Sequence, residues 1–412
     1  MSVAKSAFAN RELAAAAAAR PEKAVQYNIA IGYLRAFVTV LVVAHHAVLA
    51  YFQYAPPPMP FTAEPRLWRA FPVVDSARWP GFSVFIGFND VFFMSLMFFL
   101  SGLFVWNSLR RKGGVTFLRG RFLRLGIPFA VAAALIAPIA YYPAYLTSTA
   151  SPSVNGYLRA WFSMPDWPAG PAWFIWLLLA FDCAAAGLYA LSPKWGESIG
   201  CLTSSAARRP AVFFAVLAAV SAAVYIPMSV AFTPMAWATL GPFTFQTSRL
   251  LHYFVYFAAG IGVGAWGIER GLLAPDGKLA QRWWLWLLRA ALAYTAVVAI
   301  VIAAFAAPAH ATLWSVTGGF AFALSCAASG FGFLGLFVRF AKKPRRAFDS
   351  LRDNAYGIYI VHYAFVAWVQ YALLPAPMSG MVKGVLAFVG ALALSWGFTA
   401  ALRRIPAVAR VI

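Results

Sequence analysis

His46 sits near the middle of the first long apolar stretch of the chain, and Arg35 lies eleven residues before it. The stretch from Ile31 to about Tyr51 predicts a membrane-spanning helix, where ionisable groups are costly and usually functional. At about 100° per residue, eleven steps return to within about 20° of the same face, about 16 Å farther along the axis. Thr39 and Gln53 fall within about 40° of that face by the same count. One wall of the helix is therefore polar from end to end, and His45 points about 100° away. A histidine on such a wall can act as a general base near neutral pH. The plainer alternative is a polar residue that hydrogen-bonds a neighbouring helix.

Other groups could carry chemistry. Arg121 and Arg124, with Arg119 just before them, are spaced as neighbours on a helix and could grip phosphates. Positive charge that merely sets topology has the same spacing. His362 lies about eight residues into a later apolar stretch, with Tyr359 one turn earlier; an interhelix hydrogen bond suits it. Asp182 falls inside the fourth stretch and must be paired with an arginine, orient a histidine or be protonated. Asp90 opens the second stretch. His252 and His310 fall near stretch ends, where an interfacial place is expected. The three cysteines suggest neither a disulfide framework nor a metal site.

The elements that must position these groups follow from composition. At 412 residues, 62% hydrophobic and 11% charged, the chain reads as an all-α, polytopic membrane protein. About ten apolar runs are long enough to span: 31–53, 89–106, 125–147, 171–191, 211–232, 250–268, 285–308, 313–339, 355–374 and 382–402. Ten spans put both termini on one side. The opposite loops carry Arg66, Arg69, Arg78, Arg159 and Arg249, while Arg35, Arg289, Arg339 and Lys383 fall within spans. The remaining Lys and Arg lie on the side of the termini, which predicts that this side is cytoplasmic. The net charge of +21 thus reads as topology plus attraction to anionic lipid of the bilayer, and a nucleic-acid partner is not expected.

Between spans, 54–88 is Pro-rich and aromatic, and 148–170 holds Tyr157, Trp161 and Trp167. These rings fit an interfacial belt or a platform on which sugars stack. Segments 107–124 and 340–354 read as basic loops. Gly260, Gly262 and Gly264 read as small-residue packing positions. Walker, His-Glu-x-x-His and Gly-x-Ser-x-Gly signatures are absent.

Five blocks in order resemble the membrane-bound acyltransferase 3 family. They are Arg35 with His46, the run ending Phe98-Phe99-Leu100-Ser101-Gly102, Arg121-x-x-Arg124-x-x-x-Pro128, Pro171-Ala172-Trp173-Phe174, and Asn354 to His362. Ala172 and Ile175 stand where the family pattern has leucines. The resemblance implies a transmembrane acyltransferase domain over 29–405, with cytoplasmic tails at 1–28 and 406–412, in a bacterial inner membrane. It implies an O-acyltransferase without a permanently bound cofactor, taking acetyl or succinyl from cytoplasmic acyl-CoA (acetyl-CoA or succinyl-CoA) to a hydroxyl of an exported glycan acceptor. His46 and Arg35 would then be catalytic, Arg121, Arg124 and Arg119 would hold CoA phosphates, and Asp182, Tyr359, His362 and Trp173 would line the site. A glycan transporter or flippase using the polar wall as a path, and a structural membrane component, are the rival readings.

Overall fold

In a computed structural model the chain forms a helical bundle; residues 29–57, 59–269 and 271–412 are described. The expected 1–28 tail lies outside them. Ten long helices among the described residues fall on the ten apolar runs. They are α1 Ile29–Tyr51, α2 Gly81–Lys112, α3 Gly114–Ser148, α4 Gly170–Leu191, α5 Pro210–Phe232, α6 Leu250–Trp266, α7 Trp283–Ala306, α8 Pro308–Phe340, α9 Arg346–Leu373 and α10 Gly380–Leu402. Eight are long and apolar enough to cross a membrane; the exceptions are α6, at 17 residues, and α9, whose first turns are charged. The chain is a polytopic all-α protein.

α8 and α2 run through the centre and α7 rides outside: the apolar window of α8 is 78% buried and that of α7 only 6%. α2 packs on α6, α3 and α10 pack on α9, and α5 and α7 pack on α8. The glycines of α6 permit the closest approach. A Cβ on Gly260 would stand 2.1 Å from the Phe99 carbonyl oxygen, and one on Gly264 would stand 2.0 Å from that of Leu103. Gly102 at the end of the Phe-Phe block faces the same seam, so α2 and α6 touch backbone to backbone.

α3 is irregular for a physical reason. Pro128 and Pro143 lack the N–H that would serve the carbonyls one turn earlier. Those carbonyls, Arg124 and Ile139, instead accept from Tyr356 Oη (2.5 Å) and Trp368 Nε1 (3.0 Å) of α9. Two π-turns, Phe122–Gly126 and Ala132–Ile136, absorb the strain of fit.

Several loops differ from their sequence reading. Residues 81–88 already belong to α2, and 107–124 is no loop but a helical corner turned at Gly113, whose φ is +75°. Arg346 to Asn354 likewise begins α9. Within 148–170 a short helix, Val154–Phe162, is capped by Ser153, whose Oγ accepts from Gly156 N at 3.0 Å. Residues 406–412 carry a turn of helix, and Ile412 reaches Gly357. A two-stranded hairpin, β1 Trp237–Leu240 and β2 Phe243–Gln246, joins α5 to α6 through Gly241-Pro242, with Gly241 at φ +57°.

Most Lys and Arg lie at the end of the bundle where α1 starts, called here the basic end. The other end is capped by 52–80, the Val154–Phe162 helix and the hairpin. Some of its rings are buried rather than displayed, while Trp79 and Phe162 stay exposed. Tyr157 and Trp161 are 4% and 2% exposed, packed with Phe61, Trp68, Tyr141 and Tyr145.

Candidate functional site

α1 sets His46 toward the capped end, five residues before the helix stops, rather than at mid-span. The last turn, Leu49–Tyr51, tightens to a 3-10 helix. Gln370 of α9, 2% exposed, donates from Nε2 to the carbonyls of His46 and Ala47 at 2.9 Å. The His46 ring is oriented by its Nδ1, 2.8 Å from the Val42 carbonyl oxygen. A carbonyl can only accept, so Nδ1 carries the proton and Nε2 holds a lone pair. Nε2 has no hydrogen-bond partner among the described residues, and the ring is partly exposed.

α9 brings the second histidine. His362 Nδ1 lies 2.7 Å from the Tyr359 carbonyl oxygen, so its Nε2 also carries a lone pair. That lone pair faces His46 Nδ1 at 3.4 Å. The interhelix hydrogen bond expected of His362 is present, and its partner is His46. Tyr363 lies edge-on to His46, with ring centroids 5.2 Å apart, and its hydroxyl donates to the Arg69 carbonyl oxygen of the cap. Tyr359 is buried; its hydroxyl donates to the Pro171 carbonyl oxygen and its ring meets Phe174. Trp173 stacks on Tyr253 and meets Trp237 of the hairpin. α9 thus touches the His46, Arg124 and Pro171 blocks at His362, Tyr356 and Tyr359.

Toward the basic end, Asp182 finds an arginine. Arg121 Nε stands 3.1 Å from its Oδ2, and the carboxylate has no exposed surface. The pair is close but off-line, and both carboxylate oxygens lack a hydrogen bond among the described residues. Arg121 keeps 24% of its side chain exposed and lies over the Phe117 ring. Arg124 is exposed. Arg119 parts from both and lines an open groove on the surface of α3 with Phe122, Leu123 and Ile127. Arg35 is exposed, with Arg352 and Asp353 of α9 as its charged neighbours. Between Arg35 and His46 the polar wall is shut: Val38, Thr39 and Val42 are at most 1% exposed, and Thr39 spends its hydroxyl on the Arg35 carbonyl. Gln53 lies past the helix end.

Sequence reasoning missed two polar clusters. Arg249, expected in a loop, is buried, and its Nη2 meets Asp90 Oδ2 at 2.5 Å while Nη1 donates to the Asp90 carbonyl at 2.8 Å. Asp90 does not open a span but sits ten residues inside α2. His252 is not interfacial: it has no exposed surface, and it holds Ser221 Oγ at 2.6 Å and Ser95 Oγ at 3.1 Å, with Cys326 Sγ at 3.6 Å. An apolar run that breaks into Asn89-Asp90 mid-helix was the available signal for the first. His310 is exposed, as expected of a loop position.

Comparison with curated proteins and with solved structures finds no match. The family described as an acyltransferase domain matches residues 28–400, which takes in α1 to α9 and most of α10. The chain belongs to the acyltransferase 3 family and is a membrane acyltransferase.

Proposed function

We propose that this acyltransferase moves an acyl group, acetyl or succinyl, from acyl-CoA to a hydroxyl of a glycan, with His46 as general base. The observation that carries the proposal is the committed Nδ1 of His46: Val42 and His362 both accept there, leaving Nε2 as the free lone pair. In the step, Nε2 takes the proton of the acceptor hydroxyl as its oxygen attacks the thioester carbonyl carbon. The carbon–sulfur bond then breaks, and the imidazolium returns the proton to the CoA thiolate.

Donor binding is assigned to the basic end, which is taken to face the cytoplasm. Arg35 and Arg124 offer exposed guanidinium groups there, and Arg121 keeps its Nη groups beside Asp182. Arg35 stands about 16 Å along α1 from His46, a span of the order of the extended pantetheine arm. Tyr359, His362, Asp182 and Trp173 frame the path and are positioning groups.

Acyl esters on exported glycans test this reading against transport. Glycans from cells carrying the wild-type chain should bear acyl esters that vanish on deletion. Glycans exported in equal amount and equally acylated without the protein would overturn the proposal, and glycans no longer exported at all would favour a transporter.

A further inference from the structure

Beside His46, four polar residues come together from α1, α2 and the 3-10 turn Thr247–Arg249 that leads into α6. His45 of α1 is 9% exposed, its ring stacks on Phe93 at 5.2 Å, and it meets His46 edge-on at 5.4 Å. Phe93 lies one helical turn after Asn89 and Asp90, so these residues share a patch of α2. Asp90 and Arg249 are the charged groups within electrostatic reach of His45.

The cluster is more than a buried ion pair. The Arg249 side chain is 5% exposed, as a structural counter-charge would be, yet the Asp90 side chain remains 36% exposed although it lies well inside a membrane helix. Around it, buried polar atoms lack partners among the described residues: Nδ1 of His45, Nδ2 of Asn89 and Nε of Arg249. Asn89 is 1% exposed. Buried polar groups almost always find a hydrogen bond, and three unspent ones next to an accessible carboxylate are a concentration that calls for a ligand.

We propose that His45, Asn89, Asp90 and Arg249 form the subsite that holds the acceptor, and that it takes a neutral polyhydroxylated ligand, a sugar unit adjoining the one acylated. Asp90 accepts from ligand hydroxyls, and the amide of Asn89 and Nε of Arg249 donate to ligand oxygens. Arg249 already neutralises Asp90, so the site carries no net charge to recruit an ion, which suits a neutral sugar. The inference rests on the acyl-transfer reading for the word acceptor, but the binding site can be tested apart from it.

Full-length protein in lipid nanodiscs is titrated with maltotriose by calorimetry, and transfer from labelled acetyl-CoA to maltotriose is assayed in the same preparations. Asn89→Ala should raise the maltotriose Kd, and the KM for maltotriose, about tenfold. The KM for acetyl-CoA should stay within about twofold. Asp90→Asn should weaken maltotriose binding at least as much; because it leaves Arg249 without its counter-charge, it is compared only where its elution on gel filtration matches the wild type. Asn89→Ala leaves that pair in place and keeps the test decisive. Wild-type protein that does not bind maltotriose, or variants that bind it as the wild type does, would overturn the subsite. Binding that the variants weaken, with no transfer by the wild type, would support the subsite and sink the acyl-transfer reading instead.

Discussion

At the basic end Arg35 and Arg124 are exposed and hold no carboxylate in an ion pair among the described residues, whereas at the capped end Arg66, Arg69, Arg249 and Lys383 are each spent on one. There Arg66 and Arg69 share Asp166, the latter at 2.5 Å, Lys383 holds Asp75 at 2.7 Å in a fully enclosed pair, and Arg249 holds Asp90. Free positive charge draws anions from solution; charge already neutralised does not. Under the proposed function, the contrast would place the anionic donor at one end and a neutral hydroxyl compound at the other. Val38, Thr39 and Val42 of α1, all buried, lie between Arg35 and His46. An acyl group carried on a slender arm is the cargo such a wall must part for.

The contrast can be broken at its sharpest point first. His46→Ala should cut acetyl transfer by about 10²–10⁴-fold while His45→Ala retains far more activity, because only His46 pairs a held Nδ1 with a free Nε2. Equal losses in steady-state rate would remove the distinction between the two rings. Next in size, Arg121→Leu leaves Asp182 enclosed without a counter-charge and should cost about 3 kcal/mol of stability in denaturant titrations. Adding Asp182→Asn should restore most of it; a double variant as weak as the single one would show that the pair is not coupled.

A smaller effect is expected at Gln370. Gln370→Leu strips the donor from the His46 and Ala47 carbonyls, and kcat should fall about tenfold with CoA affinity unchanged. A matching loss of CoA affinity would mean the whole bundle had shifted. The double variant Arg35→Gln/Arg124→Gln should weaken CoA binding several-fold, and the ratio to wild type should widen as salt is lowered. Smallest of all is Arg119→Gln, whose side chain faces the outer groove of α3: its CoA affinity should match wild type.

What the sequence made legible was whatever a single helix decides. The ten apolar runs, the Gly260 and Gly264 contacts and the placing of Arg35 and His46 along one wall follow from composition and period. The hairpin around Gly241-Pro242 went unread, because a short two-stranded turn between apolar runs is masked by the helical pattern on either side. What stayed hidden depends on neighbours. Asp90 and Arg249 lie 159 positions apart, and Ser95, Ser221 and Cys326 are ordinary residues until His252 stands among them. The tautomer of His46 needed the Val42 carbonyl, and the proline-freed carbonyls of α3 needed Tyr356 and Trp368. Trp68, Tyr157 and Trp161 of the two loops looked like surface because their partners are other rings, distant in sequence.

The central claim is that donor and acceptor meet at His46 from opposite ends of the bundle. Proteoliposomes sealed around labelled acetyl-CoA, with maltotriose only outside, test it directly. The account predicts labelled acetyl-maltotriose in the outer solution for the wild type and none above background for His46→Ala protein in equally tight vesicles. Product that forms only when both compounds are on the same side, or forms equally with His46→Ala, would contradict it.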